Sequence, residues 1–305
     1  MIETLAKIDF KPITPADKDA YEACLLADAT RGCEVSFANL YLWGEQGIAY
    51  IDGLAVILAR YGKHTVYHFP VGAGDKAGAV SAILADASAR GIRFCLSGVL
   101  PEEKAWLEGR YPDALRFTAD EGSFDYVYET EALATLSGKK YHAKRTHLNR
   151  FKEAYPDYRV LPITEAQLPL VREMAERWYA EREGQGTDSD FAMEKMALSR
   201  ALSQFKALSL DGLLLFDGDT LLAFTMGSRL SRDTLDIHFE KALVGGAYTA
   251  INYEFARYIR EKHPDIRFLD REEDMGIEGL RRAKRSYHPH HTLTKYRVFL
   301  KGDEG

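Results

Sequence analysis

Residues suited to binding phosphate are crowded into two short runs. Residues 139–152, KKYHAKRTHLNRFK, carry six Lys or Arg and two His with no acid. Residues 281–297, RRAKRSYHPHHTLTKYR, carry six Lys or Arg and three His, again with no acid. The chain as a whole is acidic, with 40 Lys and Arg against 46 Asp and Glu and a net charge of −6. Positive charge gathered this way on an acidic body attracts polyanions at close range, and the natural partners are an RNA backbone or an anionic lipid head group. The plainer alternative is a solvated helix face whose long side chains cover apolar surface.

Directly before the second run lies FLDREEDMGIEGL. Its acids Asp270, Glu272, Glu273, Asp274 and Glu278 can neutralise the arginines that follow or supply a general base. The calcium-loop pattern D-x-D-x-D-G is absent, so no metal is expected. Cys24, Cys33 and Cys95 form no C-x-x-C pair, which argues against both a zinc site and a disulfide framework. They are expected to be small buried residues.

The elements that must hold these residues read as two similar halves. In the first, IDFKPI is a strand and Asp17–Leu26 helical, followed by strands IAYIDGLAVILAR and HTVYHFPVG. The helix DKAGAVSAILADASARG ends at Gly91, and the strand IRFCLSG, a helix near Pro101–Tyr111 and a strand in SFDYVYE close the half. GAGDKAG at 72–78 does not complete a G-x-G-x-x-G phosphate loop and reads as a turn and N-cap. The second half begins with the strand YRVLPI, and Thr164 with Gln167 forms a capping box before EAQLPLVREMAERWYAERE. Another helix, FAMEKMALSRALSQFKAL, precedes strands GLLLFDGD and TLLAFTMGSRL, joined at Asp217-Gly218. The strand TLDIHFEKA, the turn VGG, the helix AYTAINYEFARYIREKH, the strand IRFLD, the helix IEGLRRAKRSY and the strand LTKYRVFL complete it.

The first basic run predicts a helix bridging the halves, docked through Tyr141, Leu148, Phe151 and Tyr155 with Arg145, Asn149 and Lys152 on its flank. A length of 305 residues suits two domains. The expected division is 1–131, a bridging segment 132–157, and 158–305. No apolar run approaches the roughly 20 residues that span a bilayer, and MIETLAKIDF lacks the pattern of a secretory signal. A cytoplasmic protein, at most peripheral to a membrane, is expected.

The stretches HFEKALVGGAYTAINYEFARYIRE, FLDREEDMGIEGLRRAKRSYHP and KYHAKRTHLNRFKEAYPDY, with SFANLYLW at 36–43, carry a resemblance. They resemble the bacterial domain-of-unknown-function family related to the synthase half of phosphatidylglycerol lysyltransferases, over essentially the whole chain. The resemblance implies an α/β (mixed α+β) architecture of two tandem GNAT-like acyl-CoA N-acyltransferase folds joined by a bridging helix. It further implies a transferase whose relatives move an aminoacyl group from a charged tRNA to the head group of phosphatidylglycerol. Those relatives carry a membrane-spanning N-terminal half, for which no counterpart is expected in this chain.

Under that resemblance the strand LDIHFEKA and the helix from Gly246 form the site. Gly245 and Gly246 retain the glycines of the turn that holds coenzyme A pyrophosphate on backbone N–H groups, but no Arg or Gln precedes them. Aminoacyl-tRNA and acyl-CoA both stand as donor substrates, with no other cofactor expected. Aminoacyl transfer needs a base, an oxyanion binder and an acid for the leaving group. Glu240 and His238, two apart on a strand and so on one face, are the candidate bases. Tyr287 is the candidate acid. Asp270 and Glu278 are candidates for holding a substrate ammonium, and Asn252 and Tyr253 for lining the pocket. Lys144, Arg145, Asn149, Arg150 and Lys152, with Arg281 and Arg285, are candidates for phosphate contacts. The first half shows no comparable polar constellation and is expected to play a supporting role. Two other functions stay open: an acetyl-CoA-dependent N-acetyltransferase of a small amine, and a non-catalytic RNA- or phosphate-binding protein.

Overall fold

The computed structural model describes residues 7–28, 32–182 and 188–302, and the chain separates into two compact units. Unit 1 holds residues 1–124 and 293–305, and unit 2 holds 125–292.

Unit 1 runs β1 (Lys11–Pro12), α1 (Lys18–Ala27), α2 (Phe37–Leu42), β2 (Glu45–Ile51), β3 (Leu54–Tyr61), β4 (His64–His68) and β5 (Val71–Gly72). It continues through α3 (Lys76–Arg90), β6 (Cys95–Val99), α4 (Pro101–Arg110) and β7 (Leu115–Ala119). Unit 2 runs β8 (Asp125–Glu129), α5 (Thr130–Thr135), α6 (His142–Ala154), β9 (Arg159–Pro162), α7 (Leu168–Ala180) and α8 (Asp188–Ser203). It continues with β10 (Asp211–Asp217), β11 (Thr220–Arg229), β12 (Thr234–Ala242), α9 (Ala247–Lys262), β13 (Phe268–Asp270), α10 (Glu278–Arg285) and β14 (His291–Leu293). The last strand, β15 (Tyr296–Leu300), returns to unit 1.

The sheet orders are β1-β2-β3-β4-β6-β15-β7, with β5 beside β3, and β14-β8-β13-β12-β11-β10-β9. This redraws the expected division. SFDYVYE, assigned by sequence to the first half, pairs antiparallel with β13 in unit 2, Leu269 opposite Tyr128. LTKYRVFL, assigned to the second half, lies between β6 and β7 with Val298 opposite Phe117. Val298 is completely buried among Leu54, Tyr67, Ile83 and Leu96. Nor does the basic helix α6 bridge the units, since it belongs entirely to unit 2. Its buried residues Leu148 and Phe151 join the core formed with Ile251, Phe255 and Ile259 of α9. The reason is local: α6 has one apolar stripe, and α9 offers the apolar face that buries it.

Each sheet contains a central parallel pair. In unit 1 it is β4 with β6, ending at His68 opposite Ser97. In unit 2 it is β12 with β13, ending at Asp236 opposite Asp270. Both pairs stop early while one strand's chain continues, so each unit has a junction where two parallel strands part. The architecture is mixed α/β with two sheets. Among the described residues no helix is long and apolar enough to cross a membrane. Cys33 and Cys95 are buried as expected, whereas Cys24 is partly exposed.

Candidate active site

Beyond Asp236, β12 runs on to Ala242 against β11 alone. The loop leaving β13 occupies the side that β13 has vacated. Asp270, buried, accepts a hydrogen bond from the Glu272 backbone N–H at 2.8 Å. Glu272 is held at φ 57°, a left-handed conformation that costs a non-glycine residue roughly 1 kcal/mol or more. The result is that consecutive side chains reach alternate positions of β12. Arg271 donates to Glu240 Oε1 at 2.9 Å, and Glu272 Oε1 lies 3.2 Å from His238 Nδ1. Buried Lys284 braces the loop by donating to the carbonyls of Arg271 and Glu273.

Around Glu240 four segments converge. Asn252 of α9 donates its Nδ2 to Glu240 Oε2 at 3.1 Å, so both carboxylate oxygens are anchored. Tyr287, just after α10, has Lys144 Nζ of α6 at 3.6 Å and the Arg271 guanidinium at 4.9 Å from its ring centre. Its hydroxyl donates to Thr249 Oγ1 of α9 at 3.3 Å. Two buried atoms in this group have no protein partner: Arg271 Nη1, a donor, and Asn252 Oδ1, an acceptor. Buried polar atoms are rarely left so, and an unpaired donor and an unpaired acceptor flanking one carboxylate are what a polar ligand would satisfy.

The electrostatics follow from burial. Burial, then the charge of Arg271, pulls the Lys144 ammonium down to about 8, with Glu240 opposing. Burial works against the Arg271 charge, but Glu240, Tyr128 and Tyr287 more than offset it and its pKa is raised. Burial raises Tyr287, against the pull of Arg271 and of the Thr249 hydrogen bond. Lys144 therefore titrates close to neutrality, while Tyr287 stays a neutral phenol there.

His238 is fully engaged. Its Nε2 lies 2.8 Å from Ser228 Oγ, and its Nδ1 faces Glu272 and, at 3.5 Å, Asp236. The carboxylates require a proton on Nδ1, so in the neutral ring Nε2 accepts from the Ser228 hydroxyl. Asp236, His238 and Glu272 place donor atoms within 4.8 Å of one another and could hold a divalent cation. Doing so would break the His238–Glu272 hydrogen bond.

The remaining expected residues scatter. Arg145 donates to the carbonyls of Leu136 and Gly138, closing the end of α5 rather than facing outward. Asn149 and Arg150 are exposed, and Lys152 lies over Tyr253, 5.2 Å from its ring centre. Arg281 is bound to buried Asp274 at 2.7 Å. Glu278 is exposed and 3.8 Å from Arg282, and Arg285 is exposed on α10. Gly246 caps α9 at φ 82°, and a Cβ there would sit 3.2 Å from Phe151 Cβ and 3.8 Å from the His147 carbonyl oxygen. This side of the turn is packed against α6, whereas Gly245 has open space. The two basic runs do meet: His288 Nε2 lies 2.9 Å from the Lys140 carbonyl, and the Tyr141 and His288 rings are 5.6 Å apart.

Arg271 was absent from the sequence-based candidates. Its signal was a single cation inside an acidic run right after a strand, LDREED. Lys241 was also missed. It is buried beside Glu194, with its Nζ 4.0 Å from the Trp178 ring centre, and burial lowers its pKa against the opposing pull of Glu194. At the opposite end of α9, Lys262 and His263 border an open cavity of about 480 Å³, but both close onto Asp211.

Its family relationship places the chain among acyltransferase-type proteins of mixed α/β fold. Residues 28–299 match the family described as phosphatidylglycerol lysyltransferase, C-terminal, and the chain belongs to that family. It is similar to a conserved protein of unknown function from Bacteroides thetaiotaomicron, with 39% identity and a TM-score of 0.91 over 96% of this chain and 100% of that one. The L-PGS structure from Bacillus licheniformis shares the fold, with a TM-score of 0.67 at 16% identity over 94% of this chain and 92% of that one. An uncharacterised protein of Mycoplasmoides gallisepticum is 28% identical over 202 residues, which cover 64% of this chain and 61% of that relative's length.

Proposed function

We propose that unit 2 transfers an aminoacyl group from an activated ester of the aminoacyl-tRNA class to a hydroxyl of an anionic lipid head group or related small acceptor. The observation that carries this reading is the unpaired acceptor and unpaired donor beside Glu240. Asn252 Oδ1 with the Glu240 carboxylate suits the ammonium of an aminoacyl group. Arg271 Nη1 suits its carbonyl oxygen, where negative charge develops. Lys144, in its neutral form, takes the proton of the attacking hydroxyl as the new C–O bond forms. Tyr287 gives its proton to the departing oxygen as the old C–O bond breaks, and is reprotonated from Lys144 or solvent. Membership in the lysyltransferase family supports the same chemistry.

Acetyl-CoA fits less well. An acetyl group has no ammonium for Asn252 Oδ1, and Phe151 with the His147 carbonyl crowds the Gly246 side of the turn where a pyrophosphate would lie. The test is transfer from radiolabelled charged tRNA to phosphatidylglycerol, beside acetyl-CoA with a panel of amines. Turnover with charged tRNA and a fall of roughly 10²-fold in Glu240→Gln are expected. Turnover with acetyl-CoA alone, or full activity in both Glu240→Gln and Tyr287→Phe, contradicts the reading.

A further inference from the structure

The strand residue after Glu240 and the helix residue before Thr249 are tied together behind the site. Lys241 follows Glu240 on β12 and so points from the opposite face of the sheet. Its Nζ is 4.0 Å from the ring centre of Trp178 on α7, and Trp178 Nε1 donates at 3.1 Å to Tyr248 Oη in the first turn of α9. Asn252 of the same helix bonds Glu240 on the other face. Tyr248 therefore reaches across the end of β12 that β13 has left, and its hydroxyl is fixed on the far side.

The ring of Tyr248 differs from its neighbours. Tyr287 has Lys144 and Arg271 over it, Tyr253 has Lys152 and Arg257, and Trp178 has Lys241 and Arg182. Among the described residues no cation and no aromatic ring lies over Tyr248, which is 38% exposed. Gly245, three residues earlier, has open space where a side chain would be. An exposed tyrosine is common. One whose hydroxyl is held by a buried tryptophan and whose ring is left uncovered offers a flat surface that is already ordered, at little entropic cost.

The position on α9 says what that surface meets. Thr249, the next residue, accepts the Tyr287 hydroxyl at 3.3 Å. In the transfer reading, on which this inference rests, Tyr287 protonates the departing oxygen, and in a charged tRNA that oxygen belongs to the ribose of the terminal adenosine. The base is thus carried one sugar away from Tyr287, beside the residue that precedes Thr249. We propose that Tyr248 is the stacking platform for the terminal adenine of the donor, held by Trp178 so that the ribose oxygen meets Tyr287. A phosphatidylglycerol head group has no π face to lay on it, whereas every base has one.

Calorimetric binding of non-hydrolysable 3′-lysylamido- and 3′-alanylamido-adenosine, beside the matched 1-deoxyribose amides that lack the base, tests this without turnover. The parent should bind the adenosine amides about tenfold more tightly than the base-free ones, and Tyr248→Leu should lose that advantage while binding the base-free amides as the parent does. Tyr248→Phe keeps the ring and gives up only the Trp178 hydrogen bond, so it should stay within about threefold of the parent on the adenosine amides. Equal weakening of both ligand sets in Tyr248→Leu would mean that the residue only shapes the site, and overturns the proposal. So does a Tyr248→Leu defect confined to the KM for phosphatidylglycerol, or a Tyr248→Phe variant as weak as Tyr248→Leu. A parent that binds the base-free amides and gains nothing from the base sinks the platform and leaves the transfer reading standing. A parent that binds neither set sinks the transfer reading, and the platform with it.

Discussion

The two units place the same junction, a parallel strand pair that parts beside a helix N-terminus, in different chemical states. In unit 1 the start of the helix is closed by side chains: Asp75 accepts from Ala77 N at 3.0 Å, and Asp28, at the end of α1, takes both Gly72 N at 2.9 Å and Lys76 at 3.0 Å. Gly74 is packed so tightly that a Cβ would lie 2.1 Å from the Asp52 carbonyl oxygen. In unit 2 the helix begins at Gly246 with no capping side chain. The strand facing it carries Glu240, whose neighbours Arg271 and Asn252 each keep one atom unpaired. Unit 1 has a polar pair at its own junction. His68 lies 3.1 Å from Ser97 Oγ at the end of the parallel pair, and burial with the nearby Lys295 charge pulls the ring down to about 4. Lys295 is itself paired with Glu34 at 3.0 Å. The difference teaches that a junction of this kind becomes a site when a loop delivers charge into it. Unit 2 has such a loop in residues 271–277, and unit 1 spends its charges on internal closure.

Four substitutions sharpen or break that contrast. The largest effect is expected from Lys144→Met, a loss of transfer of roughly 10²-fold. In the parent, kcat/KM should rise with pH through about 8 as Lys144 loses its proton, and the rise should vanish in the variant. A variant with the parent's pH profile would remove Lys144 from the reaction. At the matching junction of unit 1, His68→Asn should leave transfer within about twofold, the scatter of a substitution that touches no reacting group. A loss as deep as that of Lys144→Met would mean that the chemistry had been assigned to the wrong unit.

Asp274→Asn tests the brace rather than the chemistry. Hydrogen bonds to a charged group contribute about 2 kcal/mol, and the variant should be destabilised by about that much at pH 7. The Arg281 hydrogen bonds hold Asp274 down to about 2 from 3.8, with burial opposing. A lowered carboxyl stabilises the folded state above its unfolded value and loses that contribution as pH falls through the folded one. Parent and variant should therefore converge in stability between about pH 4 and pH 2, as followed by denaturant melts. The smallest effect should come from Asp75→Ala, a lost N-cap worth about 1 kcal/mol, visible in thermal unfolding and absent from the transfer assay.

Much of the fold was legible because its signals are local. The Thr164–Gln167 box forms, with Gln167 Oε1 2.9 Å from Thr164 N, and the Asp217-Gly218 turn joins β10 to β11 with Gly218 at φ 54°. What escaped was non-local. Nothing within SFDYVYE or LTKYRVFL specifies which sheet each strand joins, since pairing partners lie far along the chain. The same limit applied to the site. Glu240, Asn252 and Tyr287 were singled out through the family resemblance, and the structure brings them together around Arg271. Arg145 and Arg281 looked alike in sequence to Lys144, yet one satisfies carbonyls that α5 leaves beyond a left-handed Leu136 and the other a buried aspartate. Basic residues in a run do not announce which of them the fold will consume.

The central claim is that the transferred group sits beside the Arg271–Glu240 pair, on Arg271 Nη1 and Asn252 Oδ1. A crystal structure with a non-hydrolysable 3′-aminoacylamido-adenosine tests it most directly. The account predicts the ligand's ammonium about 3 Å from Glu240 or Asn252 Oδ1, with its carbonyl oxygen toward Arg271. Density for the aminoacyl group beside His68 in unit 1, or elsewhere away from Arg271 Nη1 and Asn252 Oδ1, would contradict it.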